Sequence, residues 1–431
     1  MKHAVLNPAS GPLIGEIQVP GDKSITHRAI ILGSLATGTT VITNFLAGED
    51  CMRTADAFRQ LGVQIEQNDT SLKIHSNGPD AFKEPVAPLN LGNSGTTARL
   101  MLGVLAGLPL FTTVYGDTSL TSRPMDRVVR PLKKMGARID GCASGSLLPM
   151  AIRGGGLKGM QYTLPVQSAQ VKSAVLLGGL LADGLTEVIE KTPTRNHTEK
   201  MLRAFGTDIS ETDGRIRLTN QTALKGTDVH VPGDISSAAF FMAAAAIVPG
   251  SQLTLVNVGL NETRTGVIDV LKQMGASITV SNQQVMAGES FGDVTVTQQN
   301  LQGIIIEGDI IPKLIDELPI IALAATQAEG QTVIRDAGEL RLKETDRIEA
   351  ITDGLIRLGA RVTQTEDGMI IRGTSRLTGG KASAYNDHRI AMMLAVASLR
   401  ASHDVVIDDT SSIDISYPGF FRDLRKLTSN W

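Results

Sequence analysis

The chain has little of what most specialised surfaces are made from. Its only cysteines are Cys51 and Cys142, which excludes a disulfide framework and a four-cysteine zinc site. Aromatic residues make up 3% of the chain, too few for stacking on bases or sugars to be the main mode of recognition. Neither sign of charge dominates: 41 Lys and Arg face 44 Asp and Glu, for a net charge of −3. A nucleic-acid binder held by bulk positive charge would need a basic excess. Long apolar runs are missing as well. The longest, 238–248, stops at Pro249 and is too short to span a bilayer. The first twenty residues hold no apolar stretch of signal-peptide length. What is present is 42% hydrophobic residues over 431 positions, enough for sizeable cores. At about 100–200 residues per domain, two to four domains are expected. The composition points to a soluble globular protein of a reducing compartment.

Self-similarity organises the chain. A helical pattern ending in an apolar residue, then Gly, then a short alternating segment occurs five times, at Gly62, Gly136, Gly206, Gly275 and Gly359. Gly just past the last periodic residue is a helix stop, because it enters the left-handed conformation without a Cβ penalty. Small or polar residues followed by apolar runs recur in the same frame, at Ser24, Thr96, Ser168, Ser236, Asp316 and Asp387. Such residues are expected as N-caps, and runs this apolar all round predict helices buried within a domain. The result is six copies of a unit of roughly 70 residues, read as buried helix, strand, helix, strand, strand. Three plus three is the natural division. It places one lobe at 21–228 and the other at 1–20 plus 229–431, with the N-terminal stretch crossing into the second. The repeated Val-Pro-Gly at 19–21 and 231–233 marks the change-over. The stretch from Phe420 to Leu427 reads as a sixth second-helix lacking its Gly cap and strand. If the buried helices point their N-termini at a cleft between the lobes, their partial positive charge makes it an anion site.

Charged clusters fall at corresponding places of the repeats. Lys23, Ser24 and Arg28 open the first buried helix, with Arg28 one turn on from Ser24. They suit a phosphate or carboxylate, although a Pro-Gly turn with exposed cations accounts for the string too. The upstream Gly spacing of a Walker A loop is missing. Gly95, at the second helix start, would let a ligand approach the backbone; a plain capped start is the alternative. Arg123 precedes Pro124, taken as the first residue of a helix. Ser168, Ala169, Gln170 and Lys172 open the third, and Arg195 and His197 follow. His197 alone reads more readily as a structural or surface histidine than as a ligand, and Glu199 two residues on has the wrong spacing for a helical metal pair. In the second half stand Arg264, Asp316, Lys343, Glu344, Arg347 and Arg389. Together Lys23, Arg28, Arg123, Lys172, Arg195, Arg264, Lys343, Arg347 and Arg389 would line a site for multiply charged anions. Asp316 and Glu344 are the candidates for proton transfer inside that positive field.

The strings Gly-Asp-Lys-Ser (21–24), Asn-x-Gly-Thr (93–96), Arg-Pro-Met (123–125), Ser-Ala-Gln-Val-Lys (168–172), Arg-Asn-His-Thr-Glu (195–199), Asn-Glu-Thr-Arg (261–264), Asp-Glu-Leu-Pro (316–319), Lys-Glu-Thr-Asp-Arg (343–347) and Asp-His-Arg (387–389) resemble those of the 5-enolpyruvylshikimate-3-phosphate synthase family, in its second bacterial class. The resemblance runs over essentially the whole chain. It implies an α/β fold: a two-lobed enolpyruvyl transferase fold, or inside-out α/β barrel, of six βαβαββ repeats, three per lobe. It implies transfer of the enolpyruvyl group of phosphoenolpyruvate to the 5-hydroxyl of shikimate 3-phosphate, through a tetrahedral intermediate that eliminates phosphate. By resemblance Lys23, Ser24, Arg28, Ser168, Ala169, Gln170, Arg195, Asp316 and Lys343 bind shikimate 3-phosphate. Lys23, Gly95, Arg123, Gln170, Arg347 and Arg389 bind phosphoenolpyruvate, and Asp316, Glu344 and Lys23 are catalytic. It also implies no metal or organic cofactor, no nucleic-acid or membrane partner, and a cytoplasmic monomer. One departure stands out: where many members carry a Lys near the C-terminus, this chain has Ile415. The sister family that acts on UDP-N-acetylglucosamine uses a cysteine five residues before an Arg-Pro; Thr118 occupies that place here.

Overall fold

A computed structural model describes residues 3–8, 11–219 and 223–428. The chain divides into two compact units. One comprises Gly21–Val231 with Val285–Glu289; the other comprises Met1–Pro20, Pro232–Gln284 and Ser290–Trp431. Each has its own apolar core.

In the unit built around Gly21–Val231, three helices lie at the centre: Lys23–Leu35, Gly95–Gly107 and Ala169–Gly179. They are buried on nearly every face, as the unbroken apolar runs require. The second and third approach so closely that a Cβ on Gly103 would collide with the backbone of Ala174. Around them are three four-stranded sheets with one topology. In the middle sheet Leu89–Asn90 runs parallel to Phe111–Tyr115, which pairs antiparallel with Leu147–Arg153, itself antiparallel to Arg138–Gly141. This is the βαβαββ order, with the buried helix after the first strand and a half-exposed helix after the second. The first sheet borrows its opening strand from the end of the unit, where Val229–His230 lies parallel to Ile42–Thr43.

The other unit repeats the plan around Ile235–Ile247, Leu318–Thr326 and His388–Ser398. All thirteen residues of Ile235–Ile247 are buried. The N-terminal segment Ile14–Gln18 supplies the opening strand of its first sheet, parallel to Gln252–Val256. Its last sheet has three strands. There Ala4–Leu6 pairs antiparallel with Val405–Ile407, filling the place of the missing strands. The closing helix Phe420–Leu427 instead packs Phe420 against Phe241 and Tyr417, with ring centroids 5.5 Å apart in both pairs.

The five cap glycines all have left-handed backbones, with φ of 94° at Gly62, 101° at Gly136, 90° at Gly206, 100° at Gly275 and 93° at Gly359. The N–H groups of Val63, Ala137, Thr207, Ala276 and Ala360 each reach back to the carbonyls of Phe58, Leu132, Leu202, Leu271 and Leu355. These closures satisfy helix-end carbonyls and turn the chain into the next strand. The expected N-caps fare differently. Ser168 and Asp387 do cap, accepting from the N–H groups of Val171 and Arg389. In the first, second and fourth repeats the cap lies two residues earlier, at Asp22, Ser94 and Asp234, so Ser24, Thr96 and Ser236 sit in the first turn. The fifth buried helix starts after Glu317 with no side-chain cap. The helix after Arg123 begins at Asp126, which puts Pro124 outside it.

Gly206 isolates the backbone contribution, because a Cβ there would meet nothing within 4 Å. Gly206→Ala should therefore lower unfolding stability by about 1–2 kcal/mol, and Gly206→Asn by less, since Asn tolerates this region better. Urea unfolding of the three proteins measures it; an Ala variant as stable as wild type would show that the left-handed cap is not needed.

Candidate functional site

The site residues of the Gly21–Val231 unit gather where its three buried helices begin. Asp22 caps the first helix, so the following Lys23 is presented at its start, where its ammonium pairs with Asp50. Arg28 lies one turn on and is 4% exposed. Its guanidinium donates to Ser24 O at 2.9 Å, Ser173 Oγ at 2.8 Å and Thr198 Oγ1 at 2.7 Å. All three acceptors are neutral oxygens. Burial lowers its pKa from the usual arginine value to about 10, with Arg195 adding to the fall against the pull of Glu199 and Asp22. A buried guanidinium bonded only to neutral groups remains a cation in need of a counter-charge.

At the second helix start, a Cβ on Gly95 would come 2.9 Å from Arg99 Nη1 and 3.5 Å from Arg123 Nη1. Arg123 is aimed by Asn93, whose O and Oδ1 accept at 3.3 and 2.7 Å, and by Ser119 Oγ at 2.9 Å. Gln170, in the first turn of the third helix, ties the two helix starts together. Its Oε1 accepts from Arg99 at 2.8 Å and its Nε2 donates to Thr96 Oγ1 at 3.1 Å. Ser168 and Ala169 stand at the same helix start. Arg195 is half-buried close enough to bear on the Arg28 charge.

Lys172, grouped with these by sequence, belongs elsewhere, and His197 takes the structural place that the sequence favoured. Lys172 is fully buried, with Nζ 3.0 Å from Glu190 and 2.7 Å from Glu199; it neutralises core acids rather than facing a ligand. His197 is also buried, its Nδ1 2.8 Å from Glu289 Oε1. Sequence reasoning overlooked Arg99, although it follows Gly95 by the same four residues that separate Ser24 from Arg28. His27, fully buried between Lys23 and Arg28, was overlooked as well. Burial, with help from Lys23 and Arg28 and against Asp50, pushes its imidazole down to about 3.

In the other unit the site is built around Arg347, which is 1% exposed. Asp346 caps its helix, so Arg347 is the first helical residue; Lys343 and Glu344 precede the helix instead of sharing a face with Arg347. The guanidinium donates to Asp387 Oδ2 at 2.8 Å, Asp316 Oδ1 at 3.2 Å and Glu344 Oε2 at 2.6 Å. Burial alone would lower its pKa, but Asp387, Glu344 and Asp316 together raise it above the usual arginine value. Lys343 Nζ stands 3.2 Å from Asp316 Oδ1, and Arg389 Nη1 donates to the Asp316 carbonyl at 3.0 Å. Arg264, expected as a ligand cation, is 2% exposed and donates to Ser236 Oγ at 2.6 Å. Ser236 in turn donates to Glu317. Ile415 is half-buried at the end of the turn Ser411–Ile415, so this position offers no cation. Asp387 was quoted in the sequence only as part of a string; its grip on Arg347, 40 residues away, has no local signature.

The two groups differ in electrostatic character. The one around Arg28 leaves cationic capacity for an anion. The one around Arg347 meets its own charges, acids against bases. The Glu344 side chain keeps 34% of its surface exposed, so what burial does to raise its pKa is small, and Arg347, His388 and Lys343 hold the carboxyl below its ordinary range. A carboxyl with a folded pKa below its unfolded value stabilises the fold above about pH 4.3, and the contribution drains away below that. Thermal unfolding of Glu344→Gln should therefore fall less steeply than wild type as pH drops from about 6 to about 3.5. Parallel profiles would mean that Arg347 does not hold this carboxylate in the folded state.

Comparison with known proteins gives a consistent picture. A family model for EPSP synthase (3-phosphoshikimate 1-carboxyvinyltransferase) matches residues 8–424. The 3-phosphoshikimate 1-carboxyvinyltransferase of Oceanobacillus iheyensis is 56% identical over 427 residues, covering 99% of this chain and 100% of that one. The protein of the same name from Bacillus velezensis is 55% identical over 416 residues, covering 96% and 97%. Among solved structures, EPSP synthase from Acinetobacter baumannii superposes with a TM-score of 0.91 at 44% identity, covering 100% of this chain and 99% of that one.

Proposed function

The chain belongs to the EPSP synthase family, and we propose that the residues assembled above perform that family's reaction in it. The reaction transfers the enolpyruvyl group of phosphoenolpyruvate to the 5-hydroxyl of shikimate 3-phosphate and releases phosphate, on the shikimate route to chorismate and the aromatic amino acids. The observation that carries the assignment of roles is Arg28: a buried guanidinium bonded only to neutral oxygens, among Lys23, Ser24, Ser168, Gln170 and Arg195.

In this reading shikimate 3-phosphate occupies the Arg28 group. Lys23, Ser24, Arg28, Ser168, Ala169, Gln170 and Arg195 hold its phosphate and ring, joined by Asp316 and Lys343 from the other unit. Phosphoenolpyruvate is held by Lys23, Gly95, Arg123, Gln170, Arg347 and Arg389. Holding two anions side by side against their repulsion is the main service of these cations. Asp316 accepts the 5-hydroxyl proton as that oxygen bonds to C2 of phosphoenolpyruvate. Glu344 delivers a proton to the methylene carbon, giving a tetrahedral intermediate. Elimination then breaks the C2–O bond to phosphate, which leaves with the proton that Asp316 had accepted, and returns a methyl proton to Glu344.

Glu344 cannot donate a proton while Arg347 keeps it ionised. Phosphoenolpyruvate supplies the remedy, because its anionic oxygens compete for the guanidinium that Glu344 now shares. Once Arg347 turns to the substrate, Glu344 loses its first counter-charge, and the bound substrate covers a carboxyl that is 34% exposed without it, so its pKa rises. No organic cofactor enters this chemistry. A cytoplasmic monomer is the form this reading assumes; Cys51 and Cys142 are not in a disulfide, and no helix among the described residues is long and apolar enough to cross a membrane.

Near-isosteric substitutions separate binding from chemistry. Asp316→Asn and Glu344→Gln should retain shikimate 3-phosphate binding by calorimetry while turnover falls about 10²–10⁴-fold. Binding lost in parallel with turnover would make both acids structural.

A further inference from the structure

Beneath Lys23 and Gly95 runs a chain of four fully buried polar side chains that the assignment above does not use: His27, Thr54, Thr97 and Ser94, each 0% exposed. His27 Nδ1 lies 2.8 Å from Thr54 Oγ1, Thr54 Oγ1 lies 2.8 Å from Thr97 Oγ1, and Thr97 Oγ1 lies 3.2 Å from the carbonyl oxygen of Asp50. Ser94 Oγ lies 2.7 Å from Thr97 Oγ1 and accepts from Thr97 N at 3.1 Å. Hydroxyl protons are not fixed by heavy-atom positions alone, but here the ends of the chain fix them. Thr97 Oγ1 faces two acceptors, Ser94 Oγ at 2.7 Å and the Asp50 carbonyl at 3.2 Å. Its single proton is spent on one of these two acceptors, so Thr54 must donate to Thr97. Thr54, with its proton spent, can only accept from His27. The imidazole therefore carries its proton on Nδ1, and Nε2 is a bare lone pair. That agrees with the surroundings, since Nε2 is buried and has no hydrogen-bond partner among the described residues. A proton there would be a buried donor without an acceptor.

We propose that His27 is a positioning residue for the phosphoenolpyruvate subsite, acting through a one-way relay, His27 to Thr54 to Thr97, which ends on the Ser94 hydroxyl and the Asp50 carbonyl. Asp50 is the residue that pairs with Lys23, and Ser94 is the N-cap of the helix that begins with Gly95. The relay thus fixes, from one buried anchor, the Lys23 ammonium and the Gly95 backbone, which come from separate helices. Buried hydrogen-bonded chains of this kind hold geometry because any break leaves an unpaired polar group in a low-dielectric interior. The proposal rests on the placement of phosphoenolpyruvate at Lys23 and Gly95.

The test uses the full-length enzyme and three measurements. Thr54→Val removes the central hydroxyl at nearly constant shape. It should raise KM for phosphoenolpyruvate about five- to tenfold, the loss of roughly one net hydrogen bond. The KM for shikimate 3-phosphate should move at least threefold less, because that ligand has other holders, and kcat should stay within about twofold, as for lost ground-state binding. Thr54→Ser should restore wild-type values. A merely structural role would lower the active fraction, and so kcat, at unchanged KM; that pattern, or no change in KM for phosphoenolpyruvate, overturns the proposal. Nitrogen-15 NMR of histidine-labelled enzyme should show His27 neutral and protonated on Nδ1 in the wild type; an Nε2-protonated ring also overturns it. Lys23→Met is the control for the underlying placement. If its KM for phosphoenolpyruvate is unchanged while the NMR result holds, the subsite assignment fails and the relay remains a feature of the fold alone.

Discussion

A guanidinium sealed from water must be answered by nearby negative charge, and much of the site in the second unit follows from how Arg347 is answered. At 1% exposure it gathers carboxylate oxygens of Asp316, Glu344 and Asp387. Removing one partner of such a cluster leaves an uncompensated buried charge, which typically costs about 3–5 kcal/mol. The three acids and the arginine therefore hold one another in place. The acids proposed for proton transfer are the same ones that keep the fold electrostatically closed. This also explains why Asp387 is both helix cap and counter-ion, since it accepts from the Arg389 N–H at 2.9 Å while holding Arg347.

The unit around Arg28 solves the opposite problem. Its buried cation is bonded to Ser24, Ser173 and Thr198, which hydrate it without neutralising it. In the proposed reading, an anionic substrate completes what the protein leaves open. One unit thus presents a demand for negative charge, and the other a balanced cluster that an anion would have to rearrange.

Local features were legible in the sequence, and distant pairings were not. The helix-ending glycines could be read because a left-handed residue is needed at one position and Gly meets that need by itself; all five take positive φ. The six-fold frame was legible for the same reason. The N-caps were misplaced by two residues in three repeats because strings such as Asp22-Lys23-Ser24 contain two residues able to cap, and only the entering backbone decides between them. Lys172 was grouped with the ligand cations although it is fully buried; the acids that claim it, Glu190 and Glu199, come from a strand end and another helix. Arg264 was misjudged in the same way. The N-terminal strand could be expected to cross over, whereas its second task, closing the last sheet through Ala4–Leu6, depends on a pairing with residues some 400 positions away and left no trace in the repeat pattern.

The central claim is that Glu344 is ionised in the free enzyme because it shares Arg347, and becomes protonatable when phosphoenolpyruvate takes that guanidinium. Infrared difference spectroscopy across a pH series tests it directly, with the Glu344 band assigned by its loss in Glu344→Gln. The free enzyme should show no protonated Glu344 carboxyl above about pH 4, in keeping with an opposite charge favouring the ionised form. With shikimate 3-phosphate and an unreactive phosphoenolpyruvate analogue bound, the protonated carboxyl band should appear near neutral pH. A carboxyl that stays ionised down to the same acidic pH in both states would contradict the account.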